Sequence, residues 1–157
     1  MLGCVEVSRR APVEDSAEQM HELFRRMVFN LLIDNTDDHE KNHALLMDDA
    51  QHPRLSPAFD VLPTAQGLGY QQMRVGTDGA VSTARNALSM AASFRLSAAE
   101  ARREAREVAQ VCESWREHFA RGGVSAADRD WLGRFVDGEA LVAEREALSS
   151  AAAGRMR

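Results

Sequence analysis

Between Met20 and Leu32 the apolar residues Met20, Leu23, Phe24, Met27, Val28, Leu31 and Leu32 recur at steps of three and four, and then stop. That spacing places one apolar stripe along a helix. The helix is expected to begin at Asp15 or Ser16, where an acid complements the positive end of the helix dipole. It is expected to end near Ile33, because Asp34-Asn35-Thr36-Asp37-Asp38 follow. Short polar side chains bond to neighbouring backbone and compete with helix. An apolar helix running straight into a five-residue polar segment is the strongest constraint on the fold.

Downstream, ALLMDD, the turn-like DDAQHP and RLSP predict two short strands in a hairpin, with Pro57 ending the second. AFDVLPT reads as extended, and the weak alternation of Leu68 to Val75 predicts one more strand. Beyond Gly79 the pattern is helical. VSTARNALSMAASF predicts one helix, and Ser97 caps a longer one that continues to Phe119. Its buried stripe is read as Val111, Trp115 and Phe119, with Val108 and Cys112 beside them. Gly122-Gly123 breaks the chain, Ser125 starts the last helical stretch, and Gly138 bends it. The charges of EARREAREVAQ read as a solvated helix face.

The totals narrow the function classes. At 157 residues the chain is long enough for one domain, 1–157, with a real core. A formal charge of −5 argues against a direct nucleic-acid partner. No apolar run approaches the roughly 20 residues of a membrane span, and MLGCVEVSRR has no signal-peptide core, so a cytoplasmic protein off the membrane is expected. Cys4 and Cys112 lack metal-type spacing and read as free thiols.

Residues 35 to 43, NTDDHEKNH, contain two competing signatures. His39-Glu40-Lys41-Asn42-His43 matches H-E-x-x-H, in which two histidines on one helix face hold Zn²⁺ and the glutamate polarises its water. The polar residues before His39 suit a loop better than such a helix, and Glu100 is the first glutamate after Glu40 that could complete the ligand set. A polar turn with incidental histidines is the plain alternative. The third reading is D-x-x-x-x-N, from Asp37 to Asn42. Phosphoryl transfer needs a carboxylate for the hydroxyl proton and oxygen ligands for Mg²⁺, one of them from a neighbouring segment. Asp37, Asn42 and Asp60 of AFDVLPT could fill those roles. Protein kinases carry the same order of loop, hairpin and acid.

FNLLIDNTDDHEKNHALL together with RLSPAFDVLPT resembles the C-terminal domain of HipA-type kinases, the toxin members of bacterial HipBA toxin–antitoxin systems. The resemblance covers roughly residues 16 to 145. It implies a mostly helical α+β fold, a protein-kinase-like C-lobe with a short β-hairpin and a C-terminal helical bundle. It implies a serine/threonine-protein kinase that uses Mg²⁺ and ATP on a protein substrate, with an antitoxin protein as partner. Carried over by position, Asp37 would be the catalytic base, and Asn42 and Asp60 the Mg²⁺ ligands. Lys41 would face a phosphate, and His39 would order the loop; for the residues themselves, a structural hydrogen bond is expected of both His39 and His43. Asp38 receives no role.

One part of the family pattern is missing from these residues. No glycine lies between Gly3 and Gly67, and Lys41 is the only lysine, so there is neither a Gly-rich phosphate loop nor a clamping lysine. The chain alone is therefore expected to be weakly active or inactive. Its candidate associations are a separate N-lobe protein and a homodimer, through an exposed apolar face. The alternative is a non-catalytic binding module built on the same fold.

Overall fold

The computed structural model describes residues 13–49 and 51–150, which places Cys4 outside the described residues. Helix α1 spans Val13–Leu32 and is the axis of the core. Met20, Leu23, Phe24, Leu31 and Leu32 are wholly buried, as their spacing demands. Helix α3 (Ala98–Glu113) packs against α1 and buries Ala101, Ala105 and Ala109, small residues four apart. The Phe94 ring meets Phe24 edge-on, with centroids 5.6 Å apart.

After α1 the polar segment leads through a single 3₁₀ turn, Glu40–Asn42, into strand β1 (Leu45–Met47). Strand β2 (Pro53–Leu55) pairs with it antiparallel, Leu45 opposite Leu55 and Met47 opposite Pro53. Gln19 of α1 anchors this hairpin: its Oε1 accepts the Leu55 N–H at 2.9 Å. The first helix and the hairpin thus agree with the sequence pattern, and the whole is a mostly helical α+β fold.

Three expectations fail. Residues 68–75 form no strand; only single bridges join Tyr70 to Val81 and Gly76 to Gly79. Gly76 packs so closely on Asn86 that a Cβ there would collide with its carbonyl, and Gly67, Gly69 and Gly79 take left-handed φ. The helix expected over 81–94 is two pieces, α2 (Ala84–Leu88) and a 3₁₀ turn, Ala91–Phe94. Thr83 caps the first piece, and the Ser89 hydroxyl donates to Asn86 O at 2.6 Å, diverting the backbone. The long helix to Phe119 is also interrupted. Ser114 Oγ donates to Val111 O at 2.9 Å, and a separate α4 (Trp115–Arg121) starts at the next residue. Val111 is not in the buried stripe but 62% exposed, and Phe119 is half-buried, while Val108, Cys112 and Trp115 are buried as expected. Cys112 is a free thiol, and burial pushes its pKa up to about 12, so it behaves as a small apolar residue.

Ser125 caps α5 (Ala126–Val136), and Gly138 separates it from α6 (Glu139–Ser150). Helix α6 returns across α3 and α1. There Arg145, 5% exposed, donates to Val136 O at 2.8 Å and Leu32 O at 3.3 Å. Leu32 O is one of the α1 carbonyls left without an intrahelical donor. Asp137 braces the same corner, accepting from Trp115 Nε1 at 2.8 Å and Arg116 Nε at 2.9 Å. Replacing Arg145 by Met leaves two buried carbonyls without this donor, and urea unfolding should show a loss of about 2 kcal/mol. A loss within the error of the wild-type curve would show that the guanidinium does not hold this corner.

Candidate active site

The polar segment at the end of α1 contains acids of two kinds. Asp34 and Asp38 are buried and bonded within the protein; Asp37 is exposed. Asp34 has a left-handed φ of 58°, which an aspartate tolerates better than most residues and which turns the chain sharply out of α1. Its Oδ2 accepts the backbone N–H groups of Gln66 at 3.0 Å and Gly67 at 2.9 Å. Its carbonyl accepts the Thr64 N–H at 3.0 Å and the Thr64 hydroxyl at 2.7 Å. Thr36 adds a 2.7 Å contact between the two threonine hydroxyls. Asn35, fully enclosed, extends Nδ2 to Asn30 Oδ1 at 3.2 Å and to Asp60 O at 3.5 Å. The loop after α1 is in this way stapled to residues 60–67, so Asp60 is carried beside it.

Asp60 itself is exposed and has a left-handed φ of 55°. No described residue engages the carboxylate of Asp37 or Asp60; the Asn35 bond uses the Asp60 carbonyl. Asn42 is buried in the 3₁₀ turn, and Lys41 beside it is exposed. Asn42 faces a cleft of about 420 Å³ whose walls include Phe29, Phe59, Val61, Val108 and Val111. Phe59 and Val61 flank Asp60, so the structure brings Asn42 and the Asp60 segment to one rim, with Asp37, Lys41 and Asp60 outside the cleft in solvent. A second hollow of about 200 Å³ shares Phe29, Val61 and Val111 with the first.

The histidines do not form the zinc arrangement. His39 and His43 have extended backbone on either side of a three-residue 3₁₀ turn, so no α-helical face carries both. His43 Nε2 lies 3.0 Å from Asp38 Oδ1 and 3.2 Å from Oδ2. Among the described residues no three His, Cys, Asp or Glu side chains form a metal-binding cluster. The expected loop-ordering bond of His39 is not found: its Nδ1 is buried without a hydrogen-bond partner among the described residues, and it makes no side-chain cap. The structural bond expected of His43 is present, and its partner is Asp38, the acid to which the sequence assigned nothing. The contribution of Asp34 and Asn35 was also missed, since neither pairing can be seen without the fold.

The donors fit a hard cation. Asn42 offers an amide oxygen and Asp60 a carboxylate, hard oxygen donors of the kind that Mg²⁺ prefers. A helix leading into an acidic loop, a two-stranded hairpin and a returning segment with a second free acid define a protein-kinase-like C-lobe. The chain belongs to the HipA-like C-terminal domain family, whose profile matches residues 1–116. Two proteins of Sinorhizobium fredii are similar over a short stretch. One, named "Putative kinase Y4dM", is 43% identical over 58 residues, covering 37% of this chain and 14% of that protein. The other, "Putative kinase Y4mE", is 36% identical over 61 residues, 39% of this chain and 14% of its own length. The matches thus span about a seventh of either relative. No solved structure gives a significant match. No helix among the described residues is long and apolar enough to cross a membrane.

The stapling gives a direct test. Asp34→Ala removes the acceptor of two amides and sets a Cβ-bearing apolar residue in left-handed backbone, costing about 3 kcal/mol in total. Hydrogen exchange should accelerate at Gln66 and Gly67 first. Unchanged protection at these two amides would mean the staple does not exist in solution.

Proposed function

We propose that the chain is the catalytic-lobe domain of a HipA-like serine/threonine-protein kinase, the toxin component of a cytoplasmic toxin–antitoxin pair. The observation that carries this reading is the sorting of the acids. Asp37 and Asp60 keep their carboxylates in solvent, unengaged by described residues, while the neighbouring Asp34 and Asp38 are buried and bonded. Buried carboxylates with protein partners build structure; unpartnered ones at a stapled junction remain available to a ligand.

In this proposal Asp37 accepts the proton of a protein Ser or Thr hydroxyl and points its oxygen along the line of transfer. Asn42 and Asp60 hold Mg²⁺, and Lys41 faces a phosphate oxygen. Mg²⁺–ATP supplies the phosphoryl group and the charge that its transfer requires. The protein contributes position: the Asn35 and Thr36 contacts to residues 60–64 fix the two halves of the site against each other. Residues 1–157 contain neither a Gly-rich phosphate loop before Asp37 nor a second lysine. The chain by itself is accordingly proposed to be weakly active or inactive.

Completion by a further polypeptide, either a separate N-lobe or a second copy, is supported by the exposed Phe59, Val61 and Val111 around the cleft. The same apolar rim supports the second reading, a binding module that has kept the fold without catalysis. Native mass spectrometry of the chain with Mg²⁺ and ATP separates the two. Catalytic descent predicts a 1:1 Mg–ATP adduct that weakens at least about tenfold in Asp60→Ala. Equal adducts in the wild type and the variant, or none on the folded wild-type chain, would remove the catalytic reading and favour the binding module.

A further inference from the structure

We infer that Asp38 and His43 form an internal brace that sets the separation of Asp37 and Asn42. This inference rests on the kinase reading, because it gives positioning residues to that same site. The two pairs are in register: Asp38 follows Asp37, His43 follows Asn42, and each pair spans five residues. His43 Nε2 faces both oxygens of the Asp38 carboxylate, at 3.0 and 3.2 Å, and both side chains are buried. Together with Asn42 they form part of the cleft wall.

The geometry needs such a brace. Between the two ends lies one 3₁₀ turn, closed by Asn42 N–H to His39 O at 3.0 Å and His43 N–H to Glu40 O at 3.3 Å. His39, at its N-terminus, gives no side-chain cap. A turn of this length has little stability of its own. Consecutive Cα atoms are about 3.8 Å apart, so fixing residues 38 and 43 confines residues 37 and 42 as well. Asp38 is turned inward, while Asp37, the residue before it in the turn, faces solvent. The acid between the base and the histidine is therefore a positioning residue, and so is His43. Neither touches the reacting atoms.

A pair of substitutions of similar size separates bracing from filling space. His43→Gln keeps an N–H donor near the place of Nε2, and His43→Met fills the volume without one. Binding of Mn²⁺–ATP to the full chain is measured by Mn²⁺ paramagnetic resonance, with Asp60→Ala as reference. Partners that orient a metal ligand from behind are worth about 10- to 100-fold in metal affinity. His43→Met and Asp38→Ala should each weaken binding by about tenfold, His43→Gln should stay within about twofold of wild type, and the double variant should be no weaker than either single one. Equal affinities for the Gln and Met variants, with binding still lost in Asp60→Ala, would overturn the brace alone. Absence of Mn²⁺–ATP binding to the folded wild-type chain would overturn the kinase reading and the brace with it.

Discussion

The carboxylate of Asp34 accepts two backbone N–H groups from residues more than thirty positions away, and the candidate site follows from that contact. Helix α1 is rigid because its apolar stripe is buried, but rigidity alone would leave the acidic loop and the 60–67 segment independent. The left-handed turn at Asp34 stops the helix and aims its carbonyl and carboxylate at the same downstream strand of chain. Thr36 and Asn35 extend the join on either side. An isolated buried carboxylate would be costly to desolvate; one accepting two amides removes polar groups from water in matched pairs. That match explains an acid at a helix end that would otherwise prefer a cation.

The same segment shows where sequence reasoning reaches its limit. Residues 34, 37 and 38 are all aspartates, and composition does not separate the structural ones from the free one. The motif spacing singled out Asp37 and Asn42, and the structure places them on an exposed loop and a buried turn respectively. Asp38 received no role from the sequence, although a structural hydrogen bond was expected of its partner, His43. Once His39 and His43 lie on extended backbone, the metal-helix geometry is gone and the Asp38 contact accounts for the second histidine.

Helix and hairpin were legible where periodicity and turn chemistry agreed, as in α1 and the β1–β2 pair. They were misread where one hydroxyl decides the outcome. Ser89 and Ser114 each donate to a carbonyl three residues back, and each stands where a continuous helix had been expected to run on. Hydrophobic spacing does not register such bonds, since a serine on the polar side leaves the apolar period intact. Val111, inside α3 and beside the buried stripe of Val108, Cys112 and Trp115, is part of the apolar rim with Phe59 and Val61.

The extent of the family match and the extent of structural dependence do not coincide. The match ends at residue 116, within α4, yet Arg145 of α6 reaches back to Leu32 O at the end of the helix that carries the acidic loop. Asp137 joins that corner to Trp115 and Arg116 at the edge of the matched region. The guanidinium supplies a donor that the final turn of α1 lacks, because the next N–H in line, Thr36, is committed to Thr64. Stapling the loop to residues 60–67 therefore leaves a helix carbonyl to be satisfied from elsewhere, and a helix outside the matched span does so. The helices after residue 116 belong to the machinery that positions the loop.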